Sequence, residues 1–237
     1  MAFLETASKT STVSFPAGDY SVNYEIHGSG PTKLALIMGF QASMAAWQQI
    51  VSHFSRDPLY SILALDNRGV GKSRPGNLSR YSTTGLARDF LSVLDDAGNE
   101  WKNGIHLIGC SMGGMIAQEA CVLQSARFKS LVLVATCSKF KSPEPTTYEM
   151  LLRMYNFVRP KKDLEEKLDV LMWNLYSDES WLNAYDERYP RFKDNRARQQ
   201  NVFAERWSSQ EPSGLNSFIG QSFGTFNLTS SGSNPQL

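Results

Sequence analysis

Ile105-His106-Leu107-Ile108-Gly109-Cys110-Ser111-Met112-Gly113-Gly114 is an apolar run that ends in a serine flanked by glycines. A helical pattern follows it, from Met115 to Gln124. The order is strand, tight turn, helix. G-x-S-x-G in that setting is a nucleophile elbow. The turn forces its serine into a strained backbone conformation, so the hydroxyl projects from the end of the strand. The residues two before and two after the serine must be nearly bare, because the strand and helix backbones almost touch there. Gly109 and Gly113 meet that need, and Ser111 becomes the candidate nucleophile. A glycine-rich turn without chemistry is the alternative reading.

Outward from this stretch the chain alternates strand and helix. Thr12 to Phe15 and Tyr20 to Ile26 have the period of two expected of strands, and Gly28-Ser29-Gly30-Pro31 turns the second into a third. Lys33 to Met38 and Tyr60 to Leu65 are short continuous apolar runs, suited to buried strands, and Ser130 to Ala135 is a last apolar strand. Met44 to Phe54 and Tyr81 to Ala97 read as helices, the latter with Leu86, Phe90, Leu91 and Leu94 at helical spacing. This alternation predicts a mostly parallel sheet with helices on both faces.

From Ser138 the texture changes. Charges crowd in and no further buried strand shows. Helices are expected at Thr146–Val158, Leu164–Leu175, Ser180–Tyr185 and Arg196–Trp207. They fit either an insertion over the strand ends or helices around the sheet's rim. Ser213 to Leu237 holds no charged residue, and after Phe226 it is mostly Ser, Thr, Asn and Gly. That composition buries too little to offset chain entropy, so Asn227 to Leu237 is expected to be disordered. The expected organisation is a core at 1–137, a helical insertion at 138–211, and a helix remnant with a tail at 212–237.

Composition narrows the partners. Of the 237 residues 41% are hydrophobic, enough for a sizeable core, and the net charge of +1 offers nothing to nucleic acid or an anionic membrane. Cys110, Cys121 and Cys137 are too few and too dispersed for a disulfide framework or a metal knuckle. Met1 to Thr10 lacks a basic start and a long apolar stretch, so a cytoplasmic location is expected. Gly69-Val70-Gly71-Lys72-Ser73 suggests a phosphate loop, but that motif needs glycine where Asp66 stands.

Three motifs, in this order and spacing, resemble the α/β-hydrolase superfamily, in its branch of small esterases, epoxide hydrolases and cofactor-free haloperoxidases. Ile37-Met38-Gly39-Phe40 stands where that family has its His-Gly oxyanion loop, Asp66 to Ser73 matches its D-x-R-G-x-G-x-S turn, and Gly109 to Gly113 is the elbow. The similarity is strong over Tyr20–Ser138, loose over the helical insertion, and absent over 222–237. It implies acyl transfer. Ser111 would attack an ester-like carbonyl of a small apolar substrate, and the backbone N–H groups of Phe40 and Met112 would receive the oxyanion. No cofactor and no metal is implied. Asp66 and Arg68 are read as holders of turn geometry. Phe40, Trp47, Met150, Met154, Tyr155 and Trp173 would line an acyl pocket or simply fill the core.

The resemblance also exposes a gap. A serine hydroxyl needs a neighbour to take its proton, and in this fold the acid and then the histidine follow the serine. His27, His53 and His106 all precede Ser111. His106 lies ~16 Å back along the elbow's own strand, and His53 lies ~13 Å down a helix. His27 belongs to the turn before the third strand. Thr136-Cys137-Ser138-Lys139, at the family's alternative acid position, holds no carboxylate. The expectation is therefore an α/β-hydrolase sheet with a helical lid insertion after its sixth strand and its last two strands missing. Acid and histidine would be absent, and the apolar edge at Leu131–Val134 would be left open to self-association. An impaired serine hydrolase and a non-catalytic binding protein both fit.

Overall fold

The structure is a computed structural model, and it describes residues 7, 9–15, 19–76, 81–138, 164–175 and 178–208. The chain divides into two compact units, one of Met1–Phe140 with Glu211–Leu237 and one of Lys141–Gln210. In the first, strands β1 (Lys9–Phe15), β2 (Tyr20–Gly28), β3 (Thr32–Ile37), β4 (Tyr60–Leu65), β5 (Ile105–Cys110) and β6 (Phe128–Val134) form one sheet in the order β1-β2-β4-β3-β5-β6. The ladders β4–β3–β5–β6 are parallel, and β1–β2 and β2–β4 are antiparallel. The expected mostly parallel sheet is present.

The continuous apolar runs are explained by burial on two faces. Successive side chains of a strand point to opposite sides. Ala35, Ile37, Leu63, Leu65, Ile105 and Leu107 join Leu86, Phe90, Leu94, Ile116 and Ala117 of helices α2 (Thr83–Ala97) and α3 (Met112–Leu123). Leu34, Leu36, Ile62 and Ala64 face the other way, onto Val51 of α1 (Gln48–Phe54). The Ser82 hydroxyl accepts from the Gly85 amide at 2.9 Å, which caps α2.

Two helices differ from their expected bounds. The helix after the elbow begins at Met112, not Met115, because Gly113 and Gly114 are packed first-turn residues rather than turn residues. The Met44–Phe54 helix starts as a 3-10 turn, Met44–Trp47, before α1 takes over. Both its pieces pack on the α1 face through Met44, Trp47, Val51 and Phe54.

In the second unit α4 (Leu164–Leu175) has the expected bounds, while α5 (Glu179–Leu182) and α6 (Asn195–Ser208) stand where two short helices were expected. Asp178 caps α5 through the amides of Ser180 and Trp181, and Asp194 accepts from the Ala197 amide at 2.7 Å at the start of α6. Leu168, Met172 and Leu182 are buried. The expected helix Thr146–Val158 and the tail at 212–237 lie outside the described residues. No helix among the described residues is long and apolar enough to cross a membrane.

β6 ends the sheet among the described residues. Leu131, Val132, Leu133 and Val134 are 36%, 46%, 45% and 43% exposed. A strand covered on both faces would bury residues of both parities, as β3 and β4 do.

Candidate active site

The elbow is made by contact between three backbones. Ser111 follows β5 with φ 54° and ψ −124°, a conformation costly for a residue with a side chain. Its amide donates to the Val134 carbonyl at 2.9 Å, so the end of β6 anchors the turn. A Cβ at Gly109 would lie 2.5 Å from the Gly113 carbonyl oxygen and 2.7 Å from Gly114 Cα. One at Gly113 would collide with the Ile37 carbonyl and lie 2.7 Å from that of Met38. The end of β3, the end of β5 and the start of α3 thus meet at bare backbone. Ser111 is exposed while Met112 is 1% exposed.

The β3 end also brings the expected oxyanion loop to the serine. A Cβ on Gly39 would stand 2.9 Å from Ser111 Cβ and 3.4 Å from its Oγ. Phe40 follows directly and packs against the α2–α3 core. Trp47 packs on the opposite face of the sheet. The two aromatics proposed for one pocket are therefore separated by the sheet. Met150, Met154 and Tyr155 lie outside the described residues, as does the side chain of Trp173.

The Asp66–Ser73 turn holds this loop at both ends. Asn67 Nδ2 donates to the Met38 carbonyl at 2.7 Å, and the Met44 amide donates to Asp66 Oδ1 at 2.8 Å. Asp66 Oδ2 accepts from the Lys72 amide at 3.0 Å. Gly71, at φ +54°, packs so close to this carboxyl that any side chain would strike it. Burial pushes the Asp66 carboxyl above its ordinary value, while the two amide donors oppose that rise. Arg68 forks onto Asp89 with contacts of 2.7–3.0 Å and lies 3.5 Å over the Tyr20 ring. Tyr20 donates to Asp89 at 2.8 Å, and burial followed by the Asp89 charge pushes its hydroxyl up to about 12. Asp66 and Arg68 are thus engaged in holding structure. The role of Asn67 escaped sequence reading, because it fills an unrestricted position of the motif and only the fold brings Met38 to it.

The histidines stay apart from Ser111. His27 lies inside β2, not in the turn after it, and its Nε2 meets Glu25 at 3.2 Å. It pairs with Ile62, Ile62 with Leu34, and Leu34 with His106, so His27 and His106 share one rung of the sheet. That rung is three residues below Gly109, and His106 shares a hydrogen bond with Ser130 at 2.8 Å. At ~3.3 Å per residue His106 is ~16 Å from Ser111. His53 packs edge-on to Phe54, which packs on Tyr60 at the start of β4, the end remote from Asp66. The neighbouring thiol of Cys110 is pushed above its ordinary value by burial, so it competes poorly as a nucleophile. No three His, Cys, Asp or Glu side chains among the described residues are placed to hold a metal ion.

Known proteins share this fold. A profile of the alpha/beta hydrolase fold matches residues 34–216. The chain is 32% identical over 124 residues to a pimeloyl-[acyl-carrier protein] methyl ester esterase of Aeromonas salmonicida, covering 51% of this chain and 43% of that one. It spans about half the length of the curated relatives it matches. Among solved structures, a hydrolase from Pseudomonas aeruginosa superposes with a TM-score of 0.64 at 19% identity, over 94% of this chain and 74% of the other. A thermophilic esterase from Thermogutta terrifontis gives 0.62 at 19%, over 92% and 73%. At such identities the likeness is one of fold. The strained serine after β5, the glycine contacts beneath it and the matched span together place this chain in the α/β-hydrolase family.

Proposed function

We propose that Ser111 is the nucleophile of a serine hydrolase acting on small, apolar, ester-like substrates through an acyl-enzyme. The observation that carries this is the left-handed backbone of an exposed Ser111 at the end of β5. A strained residue persists only where its surroundings over-determine it, and here three glycine contacts do so. Oγ attacks the carbonyl carbon and gives its proton to solvent, the carbonyl π bond opens, and the charge on its oxygen falls to the amides of Phe40 and Met112; collapse re-forms the carbonyl as the acyl-enzyme and breaks the bond to the alkoxide, which takes a proton from solvent as it leaves. Met112 sits at the N-terminus of α3, where the helix dipole adds to the attraction. Met38 in place of the family's histidine leaves this intact, since the backbone donates the bonds. Relatives named as esterases support the substrate class.

Among the described residues no histidine lies beside Ser111, and none of the three follows the serine in this sequence. Turnover by this chain alone is therefore expected to be slight. An oxyanion site and binding without a triad retain ~10³–10⁴ over water. A fluorophosphonate probe tests the assignment. It is expected to label the protein slowly, at Ser111 by peptide mass, and Ser111→Ala is expected to abolish labelling. A label elsewhere, or none on a cooperatively folded protein, overturns it.

The exposed β6 favours a second reading, a non-catalytic protein that pairs with another copy through this edge. Light scattering is expected to show self-association, and Val132→Lys, which places a charge on the edge, is expected to reduce it at least severalfold. A wild-type monomer at high concentration contradicts that.

A further inference from the structure

We propose that Thr136 is a positioning residue for the oxyanion donor on Met112, an inference that rests on the reading of Ser111 as nucleophile. Thr136 Oγ1 lies 2.7 Å from the Ser111 carbonyl oxygen, to which it donates. Its other acceptor, the Cys137 carbonyl, is 3.4 Å away, so the hydroxyl proton belongs to Ser111. The Ser111 carbonyl and the Met112 amide are the two ends of one planar peptide unit. Whatever holds the oxygen therefore sets the direction of the N–H. Withdrawal of electron density through the carbonyl also strengthens that N–H as a donor.

Three independent features deliver the threonine to this spot. Ala135 adopts φ 46°, a left-handed residue without glycine's freedom, and this turns the chain off the end of β6. Gly114 has no side chain where one would meet Thr136 Cγ2 at 2.5 Å and Oγ1 at 2.7 Å. Gln118 Nε2 bridges the Gly114 and Cys137 carbonyls at 3.1 Å each, tying this segment to α3. Strain, a bare helix position and a side-chain bridge thus converge on one hydroxyl. The Ser111 oxygen already accepts from the Gly114 amide at 2.9 Å, so the elbow closes without Thr136. What Thr136 adds is a lateral tether on a peptide held at ψ −124°, one that can tilt when the tether is lost.

Thr136→Val keeps the shape and removes the donor, and Thr136→Ser keeps the donor. Two readouts are taken on the whole chain: the amide proton shift of Met112 by NMR, and the rate at which a fluorophosphonate labels Ser111. The valine variant is expected to move the Met112 amide upfield and to slow labelling about threefold to tenfold, the worth of one neutral hydrogen bond. The serine variant is expected to restore both. If the valine variant loses its cooperative melt, Thr136→Ala takes its place. An unmoved amide overturns the proposal. So does unchanged labelling, or a serine variant that behaves like the valine one. If the wild type is not labelled at all, Ser111 fails as nucleophile, and the amide shift still decides whether Thr136 holds this peptide.

Discussion

Gly113→Ala is expected to destabilise the protein by about 2–4 kcal/mol and to abolish labelling of Ser111. In a helix interior alanine is favoured over glycine by about 1 kcal/mol, so propensity alone predicts the opposite sign. Packing decides. The added methyl would meet the Ile37 and Met38 carbonyls, which are backbone atoms at the end of a strand buried on both faces. They cannot rotate away as a side chain can, and overpacking of a tight core typically costs about 1–3 kcal/mol before the helix has moved. Relief requires α3 to shift from β3, which carries Met112 away from Gly39 and Phe40. Gly85→Ala is the control, since its methyl in α2 would meet only the Ser82 hydroxyl at 3.1 Å. Urea unfolding is expected to show Gly85→Ala near wild type and Gly113→Ala well below it. Equal midpoints would mean that the elbow tolerates a side chain and that the backbones are not in contact.

Asp89→Ala is expected to cost about 3–5 kcal/mol, because it takes the carboxylate away from a largely buried guanidinium. The Asp89 side chain is 5% exposed and that of Arg68 12%. Arg68 is further confined by the Tyr20 ring at 3.5 Å and the Tyr81 ring at 5.0 Å, so it cannot swing into water without opening this corner. Tyr20 loses its acceptor as well. The double replacement Arg68→Met with Asp89→Leu is expected to recover most of the loss, since two apolar side chains carry no desolvation penalty. Chemical denaturation of Arg68→Met, Asp89→Leu and their combination measures the coupling. Additive losses would show that the ion pair is not what holds the turn to α2. The position of the Asp66–Ser73 turn, and through Asn67 and Asp66 that of the Met38–Met44 loop, depends on this anchorage.

The parallel sheet was legible because β3 and β4 are buried on both faces, which leaves unbroken hydrophobic runs between turn residues. The elbow was legible because its backbone approach tolerates glycine alone at two fixed positions. Periodicity alone starts the next helix at Met115, since two glycines in a first turn look like loop until their packing is seen, whereas the family resemblance already puts Met112 at its start. The end of the second strand was placed two residues early for a similar reason: Gly28 ends β2 rather than beginning a turn, and so His27 falls inside the strand. Phe40 and Trp47 looked like partners because they are close in sequence, yet they pack on opposite faces of the sheet.

By itself the chain's order of residues determined the sheet and the elbow that carries Ser111. Each follows from local rules of periodicity, backbone strain and composition, and needs no knowledge of what lies across the fold. Only the tertiary structure decided which distant groups serve the serine: Asn67 on the Met38 carbonyl, Val134 on the Ser111 amide, Thr136 on the Ser111 carbonyl. Hydrogen bonds between residues far apart in sequence leave no periodic trace, because a polar side chain in a loop looks the same whether its partner is water or the backbone of an active site.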